Sequence, residues 1–234
     1  NLAIRNNYEL IMKKLGIPFL TDKDLGLSKP FICGSLAIEL GFEKEFIKIA
    51  RKNLKLLRAL GVTKIITTCP SCYKALLIDY KDFLMDWDLE VVNAIIPITQ
   101  KMLGRRVFRD VGFDLVLHDS PYLSRYSSII EQPRKLLSIL GHTVKELHNS
   151  KVNTIDSGSS GGLPYTNPQI ADEASILRLN QVKNSGFNSL VTIGIMDYEH
   201  LKRNNDKNNS GLEVLEMSQL LTHALGISKI EVKI

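Results

Sequence analysis

Three cysteines, Cys33, Cys69 and Cys72, are the residues of this chain best suited by type and spacing to chemistry. Cys69 and Cys72 form a Cys-Pro-Ser-Cys pair, and Cys33 lies 36 residues before the first of them. A pair at this spacing can cycle between dithiol and disulfide, supply half of a metal site, or do neither. A dithiol at a helix N-terminus has a depressed pKa and exchanges readily with other disulfides. Pro70 suits an early helical position there. Thiolates are also soft ligands, which select zinc, copper(I) or an iron–sulfur cluster.

The rest of the composition narrows the setting. With 44% hydrophobic and 24% charged residues the chain reads as a globular protein. Three cysteines in 234 residues are no disulfide framework, which points to the cytoplasm. No apolar run reaches the roughly 18 residues that span a bilayer, so membrane attachment is expected only as a peripheral part of a complex. The chain opens on Asn1 rather than Met, so further residues are expected before it. The formal charge is +5, but the 30 basic residues are spread among 25 acidic ones, and no nucleic-acid arm is expected. The polar run "LKRNNDKNNSG" (201–211) reads as a surface loop.

The elements that must position the thiols alternate. "GFEKEFIKIARKNLKLLRALG" (41–61) predicts a helix with Phe42, Phe46, Ala50, Leu54 and Leu57 on one face and Gly61 as its stop. "VTKIITT" (62–68) predicts a buried strand, as does "DLVLHD" (114–119). Helices are expected over 131–141 and 167–186, and a strand over 188–194. This alternation predicts an α/β fold with mostly parallel sheets flanked by helices.

The chain also repeats itself. "GVTKIITTCPSCYKAL" (61–76) aligns without a gap on "GFNSLVTIGIMDYEHL" (186–201), which sets Tyr73 over Tyr198 and Leu76 over Leu201. "FICGS" (31–35) aligns on "IDSGS" (155–159), and "IMKKLGI" (11–17) on "LLSILGH" (136–142). Two pseudo-symmetric halves are expected, residues 1–106 and 107–234, offset by about 125 residues. The positions of Cys33, Cys69 and Cys72 carry Ser157, Gly194 and Asp197 in the second half. Ligands gather at the carboxyl ends of parallel strands, so two loops at one sheet edge can bring the three thiols together.

"FICGSLAIELGF", followed by "CPSCY", resembles the CCG (cysteine-rich) domain that occurs twice in the B-type subunit of heterodisulfide reductase. The second half resembles it too, through "LHDSPYLSRY" (117–126), "EQPRKLL" (131–137), "SGSSGGLPYTNPQIADE" (157–173) and "DYEHLK" (197–202). The resemblance implies an iron–sulfur, electron-transfer subunit of a redox complex that acts on a disulfide or thiol. Cys33, Cys69 and Cys72 would be its ligands. It implies a flavin or ferredoxin-type iron–sulfur partner subunit.

The departures bear on the cofactor. The family's Cys-Cys-Gly is Ile32-Cys33-Gly34 in the first half and Asp156-Ser157-Gly158 in the second. The second half's upstream cysteine is replaced at Pro121, and the offset places its first-half equivalent just before Asn1. An ordinary four-iron cluster, a non-cubane cluster, or zinc therefore all stay open in the first half, and no thiolate centre is expected in the second. The alternative function is a zinc-bound or metal-free scaffold of a dehydrogenase complex.

Other candidates surround this frame. His118 and Asp119 end a strand and would either bind metal or substrate or fix their loop by hydrogen bonds. Ser157 and Asp197 belong to the second-half loop that could cradle a substrate. Asp156 and Asp197 could approach each other closely enough for a hard cation, and Arg125 could pair with Asp119. "DSGSSGGLP" (156–164) could cradle an anion or survive as a former cluster loop.

Overall fold

In a computed structural model, residues 2–105, 107 and 113–228 are described. Helices and strands alternate as the sequence implies, and every strand pairing among the described residues is parallel. The chain is thus an α/β protein with two parallel sheets flanked by helices.

The first part opens with α1 (Leu2–Leu15), which buries Ile4, Tyr8, Ile11, Met12 and Leu15 along one stripe. A short α2 (Ser35–Glu39) leads into α3 (Glu43–Ala59). α3 is the expected amphipathic helix and buries Phe46, Ala50, Leu54 and Leu57. Phe42 departs from the expected stripe: it sits at the N-cap, outside the first turn, and is 59% exposed. Gly61 ends the helix as expected, at φ +67°, with the Val62 N–H donating to Leu57 O at 2.9 Å.

β1 (Lys64–Thr67) then pairs with β2 (Glu90–Asn93). β1 is only half-buried rather than buried, because it has one neighbouring strand among the described residues. Between the two strands run α4 (Pro70–Lys74), a π-helical turn over Ala75–Asp79, and α5 (Tyr80–Phe83). The wider π spacing lets Lys74 Nζ reach Asp79 Oδ1, five residues on, at 2.6 Å. α6 (Ile95–Met102) closes this part.

The second part holds a four-stranded sheet in the order β4 (Thr143–Lys145), β3 (Asp114–Leu117), β5 (Ser189–Thr192), β6 (Glu213–Glu216). Leu115, Val116, Leu190 and Val191 are fully buried, as expected of central parallel strands covered on both faces. The covering helices are α7 (Pro121–Ser127), α8 (Glu131–Ile139), α9 (Leu163–Thr166), α10 (Pro168–Asn184), α11 (Ile195–Lys207) and α12 (Met217–Ala224). The polar run expected as a loop over 201–211 is mostly helix, because α11 continues to Lys207. Two of its asparagines, Asn204 and Asn205, are buried: Asn205 donates to Leu212 O at 3.0 Å and accepts from Leu212 N at 3.1 Å.

The expected boundary at residue 106 lies outside the described residues. One hydrophobic cluster nevertheless runs from Ile4 and Phe46 through Leu117 and Val191 to Leu221. α1 lies against α12, and the two are tied by a buried knot. Tyr8 Oη donates to Glu216 Oε1 at 2.8 Å, and Ser218 N donates to Glu216 Oε2 at 2.7 Å. Gly194 N, at the head of α11, donates to the same Oε1 at 3.2 Å. Burial pushes the Glu216 carboxyl above its ordinary value, against these hydrogen bonds.

The positions aligned between halves behave alike in several respects. Gly16 and Gly141 both take positive φ, as do Gly34 and Gly158, and Gly61 and Gly186. Ile17 N donates to Met12 O at 2.9 Å, and His142 N to Leu137 O at 3.0 Å. Tyr73 N donates to Cys69 O at 2.9 Å, and Tyr198 N to Gly194 O at 3.2 Å.

The heads of α4 and α11 press on one another. Gly194 has φ +107°, and a Cβ there would stand 2.5 Å from Pro70 Cδ. Gly186, at φ +81°, has open space around its missing Cβ. Gly186→Ala should therefore lose only the strain of a left-handed alanine, about 1 kcal/mol. Gly194→Ala adds overpacking and should lose roughly 2 kcal/mol more. Denaturant unfolding of both variants measures this; equal losses would show that the Pro70 contact is soft.

Candidate functional site

The three thiols converge. Cys33 is carried by the loop before α2, with its Sγ 2.8 Å from Cys72 Sγ and 3.4 Å from Ser35 Oγ. Cys69 precedes α4 directly after β1, and Cys72 lies within that helix. The turn between strand and helix is set by Thr67: Cys69 N donates to Thr67 Oγ1 at 3.2 Å. Pro70 takes the first helical position, as expected. Cys33 is buried, and the other two thiols are partly exposed.

A clamp that the motif reading does not contain holds Cys33. Tyr80 Oη donates to Cys33 O at 2.9 Å, and Asn53 Nδ2 donates to Ile32 O at 2.8 Å and to Tyr80 Oη at 2.7 Å. Tyr80 is itself wedged edge-on against Phe46 and Trp87, with ring centroids 5.5 and 4.5 Å away. Asn53 is legible in hindsight, as a polar residue on the buried stripe of α3 between Ala50 and Leu57.

The thiols share their protons unevenly. Cys72 stands beside both neighbours, and their contacts favour its protonated form and push it far up. Donation from Cys72 in turn draws Cys69 down to about 6, against the opposing effect of burial. Cys33 is also lowered, first by the contact with Cys72. Cys69 is therefore the reactive thiol of the trio.

The donor set suits a soft metal in kind: three thiolates, of which two come from one strand-to-helix turn. Its spacing is closed. At 2.8 Å, Cys33 and Cys72 are nearer than the roughly 3.7 Å separating thiolates around a tetrahedral zinc with Zn–S bonds of about 2.3 Å. Among the described residues, no three His, Cys, Asp or Glu side chains already stand as a metal cage. Binding therefore requires the thiols to part, and a fourth ligand from outside this set.

The residues aligned with Cys33, Ser35 and Cys72 form a set of their own. Where Cys33 meets Cys72 and Ser35, Ser157 Oγ donates to Asp197 Oδ1 at 2.5 Å and lies 2.9 Å from Ser159 Oγ. Ser159 Oγ donates to the same carboxylate oxygen at 3.0 Å. His118 Nε2 faces Asp197 Oδ1 at 3.5 Å, and Arg178 Nε donates to His118 Nδ1 at 3.2 Å. A guanidinium can only donate, so Nδ1 is the accepting nitrogen and Nε2 carries the ring proton toward Asp197. Burial raises the Asp197 carboxyl, but His118 and the two hydroxyls outweigh it and hold the group below its ordinary value. Arg178 is fully buried and lowered to about 10 by desolvation, so it stays charged. It reads in the sequence as a surface residue of an amphipathic helix.

Asp119 is separate from this group. Arg134 grips it at two points, each 2.8 Å, and Lys151 N donates to it at 2.7 Å. These bonds fix Asp119 in its own loop. Arg125 does not reach it; it donates to the carbonyls of Val152 and Thr154. Asp156 is turned into its own loop, accepting from Gly158 N at 2.7 Å. The glycine-rich loop leads into a four-residue helix and packs Gly162 against Leu40 of the first half.

Both sets of side chains open on one cavity of about 280 Å³. Cys69 and Cys72 line it from one side and Ser159 and Asp197 from another, with Tyr122 and Tyr165 between. Glu39, at the end of α2, completes the wall. In the metal-free, reduced chain, iodoacetamide should modify Cys69 first, with a pH midpoint well below the roughly 8.5 of a free thiol. Peptide mapping across a pH series checks this; a midpoint at the free value would mean that Cys72 gives no proton to Cys69.

The comparisons with known proteins agree with this arrangement. Residues 4–76 match the family model described as "Cysteine-rich domain", CCG. Across 97% of its length the chain is 25% identical to the D subunit of the dihydromethanophenazine:CoB–CoM heterodisulfide reductase of Methanosarcina acetivorans, covering 56% of that protein. It is 26% identical to the EtfAB:quinone oxidoreductase of Syntrophomonas wolfei, over 74% of the chain and 24% of the relative. It is also 26% identical to the probable iron–sulfur-binding oxidoreductase FadF of Bacillus subtilis, over 63% of the chain and 21% of the relative. The chain thus spans about half the length of the heterodisulfide reductase relatives and about a quarter of the other two. The heterodisulfide reductase relatives are named as D-type rather than B-type subunits. Residues 4–76 are thus similar to the CCG cysteine-rich domain, and the chain is similar along almost its whole length to heterodisulfide reductase subunits.

Proposed function

We propose that this chain is an iron–sulfur, electron-transfer subunit of a redox complex that acts on a disulfide or thiol. The observation that carries this reading is the convergence of three thiols at the end of β1, with Cys69 and Cys72 lining the cavity and the buried Cys33 against Cys72. Similarity to proteins named as iron–sulfur oxidoreductases and heterodisulfide reductase subunits supports it. Cys33, Cys69 and Cys72 would hold the centre, and an iron–sulfur cluster so held supplies single-electron transfer. Its type, four-iron or non-cubane, follows from how many further ligands join.

The chain's own residues have definite parts in this reading. Asn53 and Tyr80 hold the Cys33 loop from behind. Thr67 and Pro70 fix the turn that aims Cys69. The two halves, 1–106 and 107–234, are two copies of one plan, of which the second keeps a hydrogen-bonded oxygen set in place of thiolates. Electrons would pass to or from a flavin or ferredoxin-type subunit of the same complex. Among the described residues no helix is long and apolar enough to cross a membrane, so any membrane association of this part would run through such partners. Zinc at the same thiols, in a structural subunit, is the second reading, favoured by the bare fact that soft thiolates accept either metal.

Metal analysis separates them. The full-length protein, purified without air, should carry about four irons with matching acid-labile sulfide for an ordinary cluster. Cys33→Ser or Cys72→Ser should abolish most of that content, while Tyr80→Phe should weaken retention roughly tenfold through the loosened Cys33 loop. One zinc without sulfide would establish the structural reading. Unchanged metal content in both cysteine variants would sink the ligand assignment.

A further inference from the structure

The solvent face of α3 concentrates charge that the rest of the chain disperses. From Phe46 to Arg58 the helix carries Lys48, Arg51, Lys52, Lys55 and Arg58 and no acidic residue. Their spacing of three and four residues sets them side by side on one face. Lys48 is held by Glu45 at 2.8 Å, and Arg58 by Asp86 at 2.7 Å and Asp88 at 3.1 Å. Arg51, Lys52 and Lys55 are exposed and make no ion pair among the described residues. Beside them runs an open groove of about 600 Å³, lined by Leu54, Phe83 and Met85 and by the cations Arg51, Lys55 and Arg58. Asp86 also lines it but is matched by Arg58. Met85 is fully exposed, a flexible apolar side chain of the kind used at binding surfaces.

This face stands directly behind the Cys33 loop. Phe83, in the groove, packs edge-on against Phe46 with ring centroids 5.5 Å apart, and Phe46 packs likewise against Tyr80 at 5.5 Å. Tyr80 Oη then donates to Cys33 O at 2.9 Å. Electron transfer weakens steeply with distance, so a carrier needs a face close to the centre it serves. Redox encounters bury little surface and rely on charge to steer and orient them. We propose that the α3 face, with the Met85 groove, docks an acidic one-electron carrier protein of iron–sulfur or flavin type. This rests on the reading of Cys33, Cys69 and Cys72 as a redox centre, and it goes further by naming the docking surface and the partner's charge. One electron passes from the reduced carrier to the centre at the thiols. The carrier is oxidised by one electron, the centre is reduced by one, and no bond forms or breaks.

Binding of a plant-type ferredoxin, a small acidic iron–sulfur protein, to the full-length protein tests this by titration calorimetry. Arg51→Glu/Lys55→Glu reverses the charge of the face. Lys23→Glu/Lys135→Glu makes the same change at exposed positions on other parts of the chain. Carbodiimide cross-linking, which joins a lysine amine to a touching carboxylate, maps the face in contact. Where the protein carries its iron, the rate of reduction by reduced ferredoxin is compared with that by the methyl viologen radical cation, a small donor that needs no docking face.

Ferredoxin should bind at low salt and lose about tenfold in affinity between about 30 and about 300 mM salt. Arg51→Glu/Lys55→Glu should weaken binding by about tenfold, and Lys23→Glu/Lys135→Glu by about twofold at most. Met85→Ser should weaken it severalfold. Cross-links should map to Lys52 and Lys55. Reduction by ferredoxin should slow with the loss of binding, while reduction by methyl viologen holds. If the charge reversal fails to fold by circular dichroism, Arg51→Gln/Lys55→Gln takes its place, with a loss of about threefold. Absence of binding, equal loss in the two double reversals, or cross-links confined to other lysines would overturn the proposal. So would binding of phosphatidylserine vesicles through Arg51 and Lys55 with ferredoxin left unbound, which would make the face a membrane contact. Binding and cross-linking need no metal. A chain that holds iron and binds no ferredoxin therefore loses only this proposal, and one that binds ferredoxin without holding iron loses only the cluster.

Discussion

The contact between Pro70 and Gly194 governs the rest of the site. Each residue stands at the head of a helix that follows a parallel strand, α4 after β1 and α11 after β5. Because Gly194 lacks a Cβ, the Pro70 ring can sit where that atom would be, 2.5 Å from Cδ. Two carboxyl-end loops from separate sheets are thereby pressed together, and the side chains a few residues further along, Cys72 and Asp197, open on one cavity. The buried Glu216 knot backs this contact, since the same Gly194 donates its N–H to Glu216, which also receives the Tyr8 hydroxyl. The entry point of α11 is thus tied to the first helix of the chain as well as to Pro70.

The two sets of site residues occupy like positions and meet different demands. A thiol is weakly polar and tolerates burial without strong partners, so Cys33 can lie against Cys72 with Ser35 as its further neighbour. A carboxylate in the corresponding place cannot, because an unpaired buried charge is heavily penalised. Asp197 accordingly receives two hydroxyls and faces His118, and Arg178 stands behind the imidazole. The buried carboxylate is thus held by side chains drawn from the end of β3, α10 and the 156–162 loop.

Much of this was legible in the sequence, and the remainder was hidden for identifiable reasons. The thiol trio could be placed because Cys33, Cys69 and Cys72 sit at strand ends and loop turns whose order is local. The glycine stop at Gly61 was legible because only a left-handed residue ends that helix so tightly. Phe42 misled because the periodic stripe does not reveal where the first helical turn begins. Asn204 and Asn205 misled because a polar run reads as solvent-facing until the partners that bury it, Asp172 and Leu212, are known. Arg178, Tyr80 and Glu39 were invisible as site residues because their roles depend on contacts far along the chain, 60 residues away for Arg178 and 47 for Tyr80.

The polarity of the second-half chain has a consequence for the shared cavity. Arg178 is charged and can only donate, so His118 must accept at Nδ1 and present a proton at Nε2. The hydroxyls of Ser157 and Ser159 donate in the same direction, toward Asp197. Both hydroxyls point their hydrogens at one carboxylate oxygen, Oδ1, which the imidazole faces at 3.5 Å, and the buried positive charge of Arg178 offsets the buried negative charge of Asp197. Asp197 Oδ1 is thus bonded by two hydroxyls, while the buried His118 Nε2 stands 3.5 Å off and makes no hydrogen bond of its own. The opposite wall, where the thiols crowd at contact distance with no cation among them, has no such internal compensation. That wall is the one whose donors suit a soft metal, and the oxygen wall faces the same cavity.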